Sequence, residues 1–491
     1  MAKLRFFNFQ FFIFNLTLAI VAALASAELY QRQAGPVRYE GVEPGWSYTH
    51  VLAGGWPLPF IYDSLYVSPV NKVSLMGVAF TDDKFYFWPF LADVAVFAAL
   101  FAGVAWLWRR RKAAALVCLL FALTADAKNV RITSESVPYG EPSIAVRGKR
   151  LIVVATKFTK EGPLLPVAIV SKDGGETWKE KTLPVPPLEQ ATDCWVTFSD
   201  SGVAYATALL IERGSKTPNL GVFRSRDEGD SWELASTVQG PFDLPFTIAR
   251  GKDVVVAAER ADGLVLLHSA DEGATFTQRA HRPTANLSHN AMNPLWIGDT
   301  LHVPYVDYGA PLGSARVSVI STKDLGKTWT APMVVADVPR RFPGHARFAA
   351  HGEQIHAAIS GGTAEKRTVS VGDVVVSNPG AQAFRPSLAV NDSGALGVTW
   401  IEVDAGCTRL WCSVSGDGGK TFSEPFPLSD APSCGDTKAN QAAYRRWEHG
   451  GDYFDLDASG ASFIAVWADA RTGTFQLYVD RVTPMSTEIE N

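Results

Sequence analysis

The chain has 491 residues, too many for one ordinary domain, and its 47% hydrophobic and 19% charged residues fit a globular protein with a membrane part. A net charge of −5 gives no case for nucleic acid as a partner. Five cysteines, with no C-x-x-C or Cys/His spacing, exclude a disulfide scaffold and offer no zinc site.

Residues 6–27 form an uncharged apolar run preceded by Lys3 and Arg5. The run is long enough to span a bilayer and ends in Ala25-Ser26-Ala27, a signal-peptidase type of exit. A second run at 86–108 has aromatic ends, one internal charge at Asp93, and the closing cluster "RRRK". That cluster belongs in the cytoplasm. Residues 113–127 follow with the layout of an internal signal peptide or a short third helix. Residues 1–127 therefore read as a helical transmembrane module whose partner is membrane lipid. The expected location is the inner membrane, with residues 128–491 outside the cytoplasm, in the periplasm. The segment 28–87 carries no catalytic pattern.

After residue 128 the helical periodicity disappears, and short β-branched and aromatic runs alternate with Gly, Asp and Pro turns. Three strand-like runs recur in each of seven units, from "PSIAV" at 142 to "FQLYVD" at 475. Units of this kind arranged in a ring make a β-propeller. The fold class is all-β, a seven-bladed propeller with six blades as the alternative. The strand "NVRITSES" at 129–136 is placed to complete the last blade and close the ring.

One motif punctuates the units. "SKDGGETW", "SRDEGDSW", "SADEGATF", "TKDLGKTW" and "SGDGGKTF" place Asp173, Asp227, Asp271, Asp324 and Asp417 at intervals of 54, 44, 53 and 93 residues. Asp-x-Gly is turn chemistry, and the closing aromatic packs beside the turn. Repetition marks a structural staple, because a catalytic constellation is needed once and a ring needs its staple in every blade. Over roughly residues 129–485 the chain resembles the Asp-box (BNR) proteins of the sialidase-like superfamily.

That resemblance implies ligand sites on the face opposite the motifs, where the second-to-third strand loops and the crossings between blades meet. The ends of the second strands carry Glu259, Arg260, Asp307, Glu402, Asp469 and Arg471. The crossings carry Asp193, Trp195, Arg341, Arg347 and Arg385, then "YRRWEHGGDYFD" with Tyr444, Arg446, Trp447, Glu448, His449, Asp452 and Tyr453. Arginine forks bind carboxylates and aromatic faces stack on sugars, so these are candidate ligand-binding residues. A sialidase uses a tyrosine nucleophile, an assisting glutamate, an aspartate acid/base and three arginines, one of them in a Phe/Tyr-Arg-Ile-Pro motif near the start. Tyr444 with Glu448, or Tyr453, together with Asp307, are the candidate catalytic residues, and Arg385, Arg446 and Arg471 the candidate arginines. "FRPS" at Phe384–Ser387 lacks the isoleucine and lies in the sixth unit. These departures favour a propeller that binds a glycan, protein or other envelope ligand. An exo-glycosidase of sialidase type and an assembly scaffold are the alternatives. No metal or cofactor is expected. Cys407 and Cys434 fall on one face of adjacent blades and are placed to form a disulfide, while Cys412 is expected buried and free.

Overall fold

The structure is a computed structural model. It describes residues 19–26, 31–40, 46–54, 61–62, 84–85, 87–109, 129–133, 137–160, 162–260, 263–283, 289–307, 314–339, 346–363 and 366–484. The chain divides into two compact units, Met1–Asp126 and Ala127–Asn491.

In the first unit an antiparallel sheet runs in the order Gln31–Glu40, Trp46–Gly54, Ile61–Tyr62 and Lys84–Phe85. A helix follows at Phe87–Arg109, and Val94, Phe90 and Phe97 on it pack with Ala19 and Ala23. Among the described residues no helix is long and apolar enough to cross a membrane. The crossing expected over 86–108 is thus not found there, while 6–18 of the expected run 6–27 and all of 113–127 lie outside the described residues. The sheet itself was not legible in the aromatic, Gly- and Pro-rich composition of 28–87.

The second unit is a seven-bladed β-propeller. Blade 1 shows the plan: strands A to D are Tyr139–Arg147, Arg150–Lys157, Leu165–Ser171 and Lys179–Thr182, antiparallel in that order. The B strand reads "RLIVVATK" and is buried on both sides, because a blade is sandwiched between two neighbours. The D strand reads "KEKT" and is wholly exposed, a charged edge that discourages further pairing. The inner A strands of the next blades are Leu188–Phe198, Asp243–Arg250, the split pair His289–Ala291 and Leu295–Ile297, Ala346–His351, Gln382–Val390 and Asp455–Ser459. Each touches the next around the ring, and the last touches the first.

Closure follows the expected route. Val130–Arg131 pairs with Gln476–Val482 as the fourth strand of blade 7. On the inside, Asp455 accepts from the Ser143 hydroxyl and the Ile144 N–H, both at 2.9 Å, and Asp457 accepts from the Val146 N–H at 2.7 Å. Cys407 and Cys434 form a disulfide that ties blade 6 to the crossing into blade 7, and Cys412 is buried and free.

The five Asp motifs are C–D turns in blades 1, 2, 3, 4 and 6. In blade 3, Asp271 accepts from the Ser269 hydroxyl at 2.7 Å and from the N–H and hydroxyl of Thr275 at 2.9 and 2.6 Å. Gly273 donates its N–H back to Ser269 at 2.8 Å. The two residues after each aspartate have positive φ, and the second is always glycine. At Gly229 a Cβ would also meet Ile152 and Val170 of the preceding blade at 3.0 Å. The motif is therefore a clamp between blades as well as a turn. Arg147 and Arg150 of blade 1 grip Glu228 of the second motif at 3.0 and 2.9 Å.

Candidate active site at the upper mouth

The A–B and C–D turns define a lower face, and the B–C loops and blade crossings an upper one. The Gly174 N–H of the first motif donates to Lys149 O in the A–B turn, which fixes the motifs on the lower face. What shapes the upper mouth is a bulge that recurs where inner strands begin. The strand register slips between Gly140 and Ser143, Thr192 and Trp195, Asp243 and Phe246, and Phe384 and Ser387. Within these slips Glu141, Asp193, Leu244 and Arg385 hold φ of 54°, 53°, 44° and 54°. Side chains other than glycine rarely adopt that conformation, and such strain concentrates at functional sites. The following residue is Pro142, Cys194, Pro245 or Pro386.

Three of these bulges contribute carboxylates. Glu141 is buried and accepts the N–H groups of Asp193 and Asp452 at 3.3 and 3.4 Å, tying blades 1, 2 and 7 together. Burial, with Asp193 and Asp452 beside it, raises its pKa well above the ordinary value. Burial and the Asp243 charge raise Asp193 to about 7, although the Thr192 hydroxyl donates to it at 2.8 Å. Glu259 stands directly across the ladder from Asp243. Burial and that neighbour lift it to about 8, and Asp243 is itself raised. Like charges that share one desolvated opening cannot all ionise, so protons stay on some of them near neutrality.

Cationic groups come from blades 5 and 6. Arg385 donates to Asp452 at 3.2 Å, and both Arg385 and Arg367 lie over the Phe384 ring, at 5.4 and 5.2 Å. His449 stacks obliquely on Phe384 at 5.4 Å between ring centres. Burial, with Arg385 next to it, lowers its pKa to about 4, so the ring is neutral at pH 7. Arg446 reaches Gln190 at 3.2 Å and partly offsets the rise of Asp193. The short helix Gln441–Arg446 in the crossing to blade 7 carries Tyr444, whose phenol feels the charge of Glu448. Burial and the Glu448 charge raise the phenol.

The structure thus gathers Glu259, Arg385, Arg446, Glu448, Tyr444 and Asp193, and it adds Glu141, Asp243 and Arg367, which the sequence reading missed. The shared offset of Glu141, Asp193 and Arg385, each one residue before the Pro or Cys of an inner strand, was the available signal. Other expected site residues are committed elsewhere. Tyr453 is buried and donates its hydroxyl to Cys194 O at 2.9 Å, with its pKa pushed well up by burial, so it is not a mouth phenol. Trp447 is buried edge-on to Phe158 and seated on Gly140, where a Cβ would meet its ring at 2.6 Å, so it offers no stacking face to a sugar. Glu402 accepts from Trp400 Nε1 at 2.8 Å and from the Asn378 N–H at 3.0 Å. Asp469 accepts from Trp467 Nε1 at 3.1 Å and is ion-paired with Arg471, which also pairs with Asp430 near the ring closure. Both carboxylates are structural staples at the ends of B strands. Asp307 faces Arg316 across the ladder in blade 4, and Arg260 is half-buried at the end of its strand. Arg347 lies below the mouth, 3% exposed. Arg341 lies outside the described residues. Among the described residues no cluster of His, Cys, Asp and Glu has the geometry to hold a metal ion.

No family model and no curated protein matches the chain. Solved structures do. A polysaccharide lyase described as an ulvan lyase is 13% identical, with a TM-score of 0.47, over 72% of this chain and 96% of that one. A Hadza microbial sialidase is 16% identical, with a TM-score of 0.42, over 70% of this chain and 66% of that one. An α-L-arabinofuranosidase of Fusarium graminearum is 14% identical, with a TM-score of 0.42, over 72% of this chain and 97% of that one. At these identities and scores the likenesses carry nothing about chemistry.

Proposed function

We propose that the protein binds a glycan at the upper mouth and cleaves it by acid–base catalysis. The observation that carries this reading is a pair of acids, Asp193 at about 7 and Glu259 at about 8, in an opening that also holds Arg385 and Arg367. Unpaired buried acids destabilise a fold, and groups tuned toward neutrality are what proton transfer to a leaving oxygen requires. Asp193 is the proposed proton donor. The Tyr444–Glu448 pair is the proposed nucleophile and its assistant, and Arg385 and Arg367 would orient an anionic group on the sugar. A mouth this charged does not suit the scaffold alternative, which calls for an apolar docking face.

We place the propeller outside the cytoplasm. The Cys407–Cys434 disulfide supports an oxidising compartment. A propeller resistant to protease in spheroplasts and digested only after lysis would overturn that placement.

The second reading is binding without turnover. It is favoured by the committed hydroxyl of Tyr453 and by the raised, rather than lowered, pKa of Tyr444. The deciding test is release of reducing ends by the full-length protein from a panel of neutral and acidic glycans, including a fluorogenic sialoside. We expect turnover on an acidic member, lost in Tyr444→Phe. Retained glycan binding with no turnover across the panel would establish the second reading instead.

A further inference from the structure

One layer of side chains closes the middle of the ring, and beneath it lies a cavity of about 350 Å3. Its lining runs down the inner strands to Val146, Phe198, Ala350 and Val390, so it is on the side of the Asp motifs, below the candidate active site. Trp195 and Arg347 stand at its upper end.

Arg347 is the unusual member of this layer. It is 3% exposed and lies over the rings of Phe246, Trp195 and Tyr453 at 4.8, 5.2 and 5.7 Å. Its Nη1 donates to its neighbour Ala346 O at 3.3 Å, while Nε has no hydrogen-bond partner. Among the described residues no carboxylate forms a salt bridge with it. Asp455 is the carboxylate whose charge it feels most. Asp455, however, already accepts from Ser143, Ile144, Ser387 and Leu456, at 2.9, 2.9, 3.3 and 3.0 Å. Aromatic faces soften the burial of a guanidinium but offer no acceptor oxygen to its Nε. A buried charge of this kind calls for a paired anion, and the fork best matches a carboxylate.

The remaining walls mix Ile144, Ile248 and Leu388 with Thr197, Thr247, Asn293 and Asp455, the surface they show is more polar than apolar, and the volume is at the small end for ligand pockets. We propose that this cavity is a second binding site, one that takes a small organic carboxylate. Its anionic end pairs with Arg347 and its body fills the space toward the lower face. Asp457 in the wall, raised to about 7 by burial, is able to meet such a ligand without adding a full negative charge. The site is independent of the glycan reading, because it opens on the other side of the closing layer.

The test is calorimetric titration of the full-length protein with sodium benzoate, beside sodium phosphate and benzyl alcohol at matched ionic strength. Benzoate is expected to bind saturably, at least about tenfold more tightly than either comparison probe. Arg347→Met removes the charge, and Ala349→Phe fills the space while leaving the arginine. Each is expected to weaken benzoate at least about tenfold. No saturable benzoate binding to the wild type would overturn the proposal. So would binding that survives Arg347→Met, or phosphate that binds as tightly as benzoate. Should either variant fail to fold, the ranking of the three probes on the wild-type protein still decides.

Discussion

Both faces of the ring are rich in carboxylates, and the two sets sit in opposite environments. On the lower face Asp271 and Asp324 are held at about 2, the first chiefly by the Thr275 hydroxyl and the second chiefly by the Thr328 N–H. On the upper face burial and neighbouring acids lift Asp193 to about 7 and Glu259 to about 8. The lower set recurs in five blades with the same donors, and the upper set occurs once. A carboxylate that collects donors is a staple. One that collects other carboxylates in a desolvated opening is a candidate for chemistry.

The sharpest way to break this contrast is Asp193→Asn, which keeps the shape, tolerates positive φ and removes the proton. If Asp193 is the proton donor, turnover falls by about 10²–10⁴-fold with little change in glycan affinity. Stability should move the other way. Because the folded pKa is raised, the wild-type side chain contributes its full stability below the unfolded value of about 4 and loses it as pH rises through about 7. Asn carries no such dependence, so the variant should unfold at a higher temperature than wild type at pH 8. Equal pH profiles of Tm for the two proteins, with turnover intact, would return Asp193 to an ordinary surface acid.

A second effect tests what holds the mouth together. The Cys407–Cys434 bridge spans 27 residues and ties down the crossing that leads to Tyr444, Arg446 and Glu448. Replacing both cysteines with serine is expected to cost about 3–4 kcal/mol in urea unfolding. The upper-face activity should suffer while the Asp motifs of blades 1 to 3 are untouched. An unchanged unfolding midpoint would mean that the Thr408–Ser433 backbone pairing alone fixes this crossing.

The two faces also differ in how far they were legible in the sequence. The motif clamps, the blade count, the closing strand and the disulfide were all readable, because each depends on local turn chemistry or on a repeat. The upper mouth was readable only in part. Which B-strand carboxylates face the opening depends on neighbours distant in sequence. Glu402 is drawn off by Trp400 and Asn378, and Asp469 by Trp467 and Arg471. The Trp-x-Glu and Trp-x-Asp spacing of those two was a local signal of a staple, and it had been read as a site. Glu141 and Asp243 went unseen because a bulge of one residue, invisible in composition, turns them into the mouth.

A smaller effect sharpens the other half of the contrast. Ser225 is 1% exposed, donates to Asp227 at 2.8 Å and accepts from the Gly229 N–H at 2.7 Å. Ser225→Ala strands that buried N–H and should cost about 1–2 kcal/mol in chemical unfolding. Glycan turnover at pH 7 should be unchanged. A loss of turnover comparable to that of Asp193→Asn would show that the lower clamps set the geometry of the upper mouth, and the two faces would then not be separable.

The smallest expected effect is also the one that isolates the lower set by charge alone. Carboxylates held below their unfolded pKa contribute stability that is complete above about pH 4 and is lost as pH falls through about 2. The upper acids cannot produce that decline, since Asp193 and Glu259 are already protonated in the folded protein well above it, and protonation of the unfolded chain acts in the opposite sense. A urea midpoint that declines between pH 4 and pH 2, and declines less steeply in Asp271→Asn, would therefore report the clamps and not the mouth. Each motif lies at the surface and is screened by solvent, so a single substitution should remove only a fraction of the slope. If Asp271→Asn instead flattens the whole acid limb, one clamp controls the ring, and the equivalence of the repeated aspartates fails.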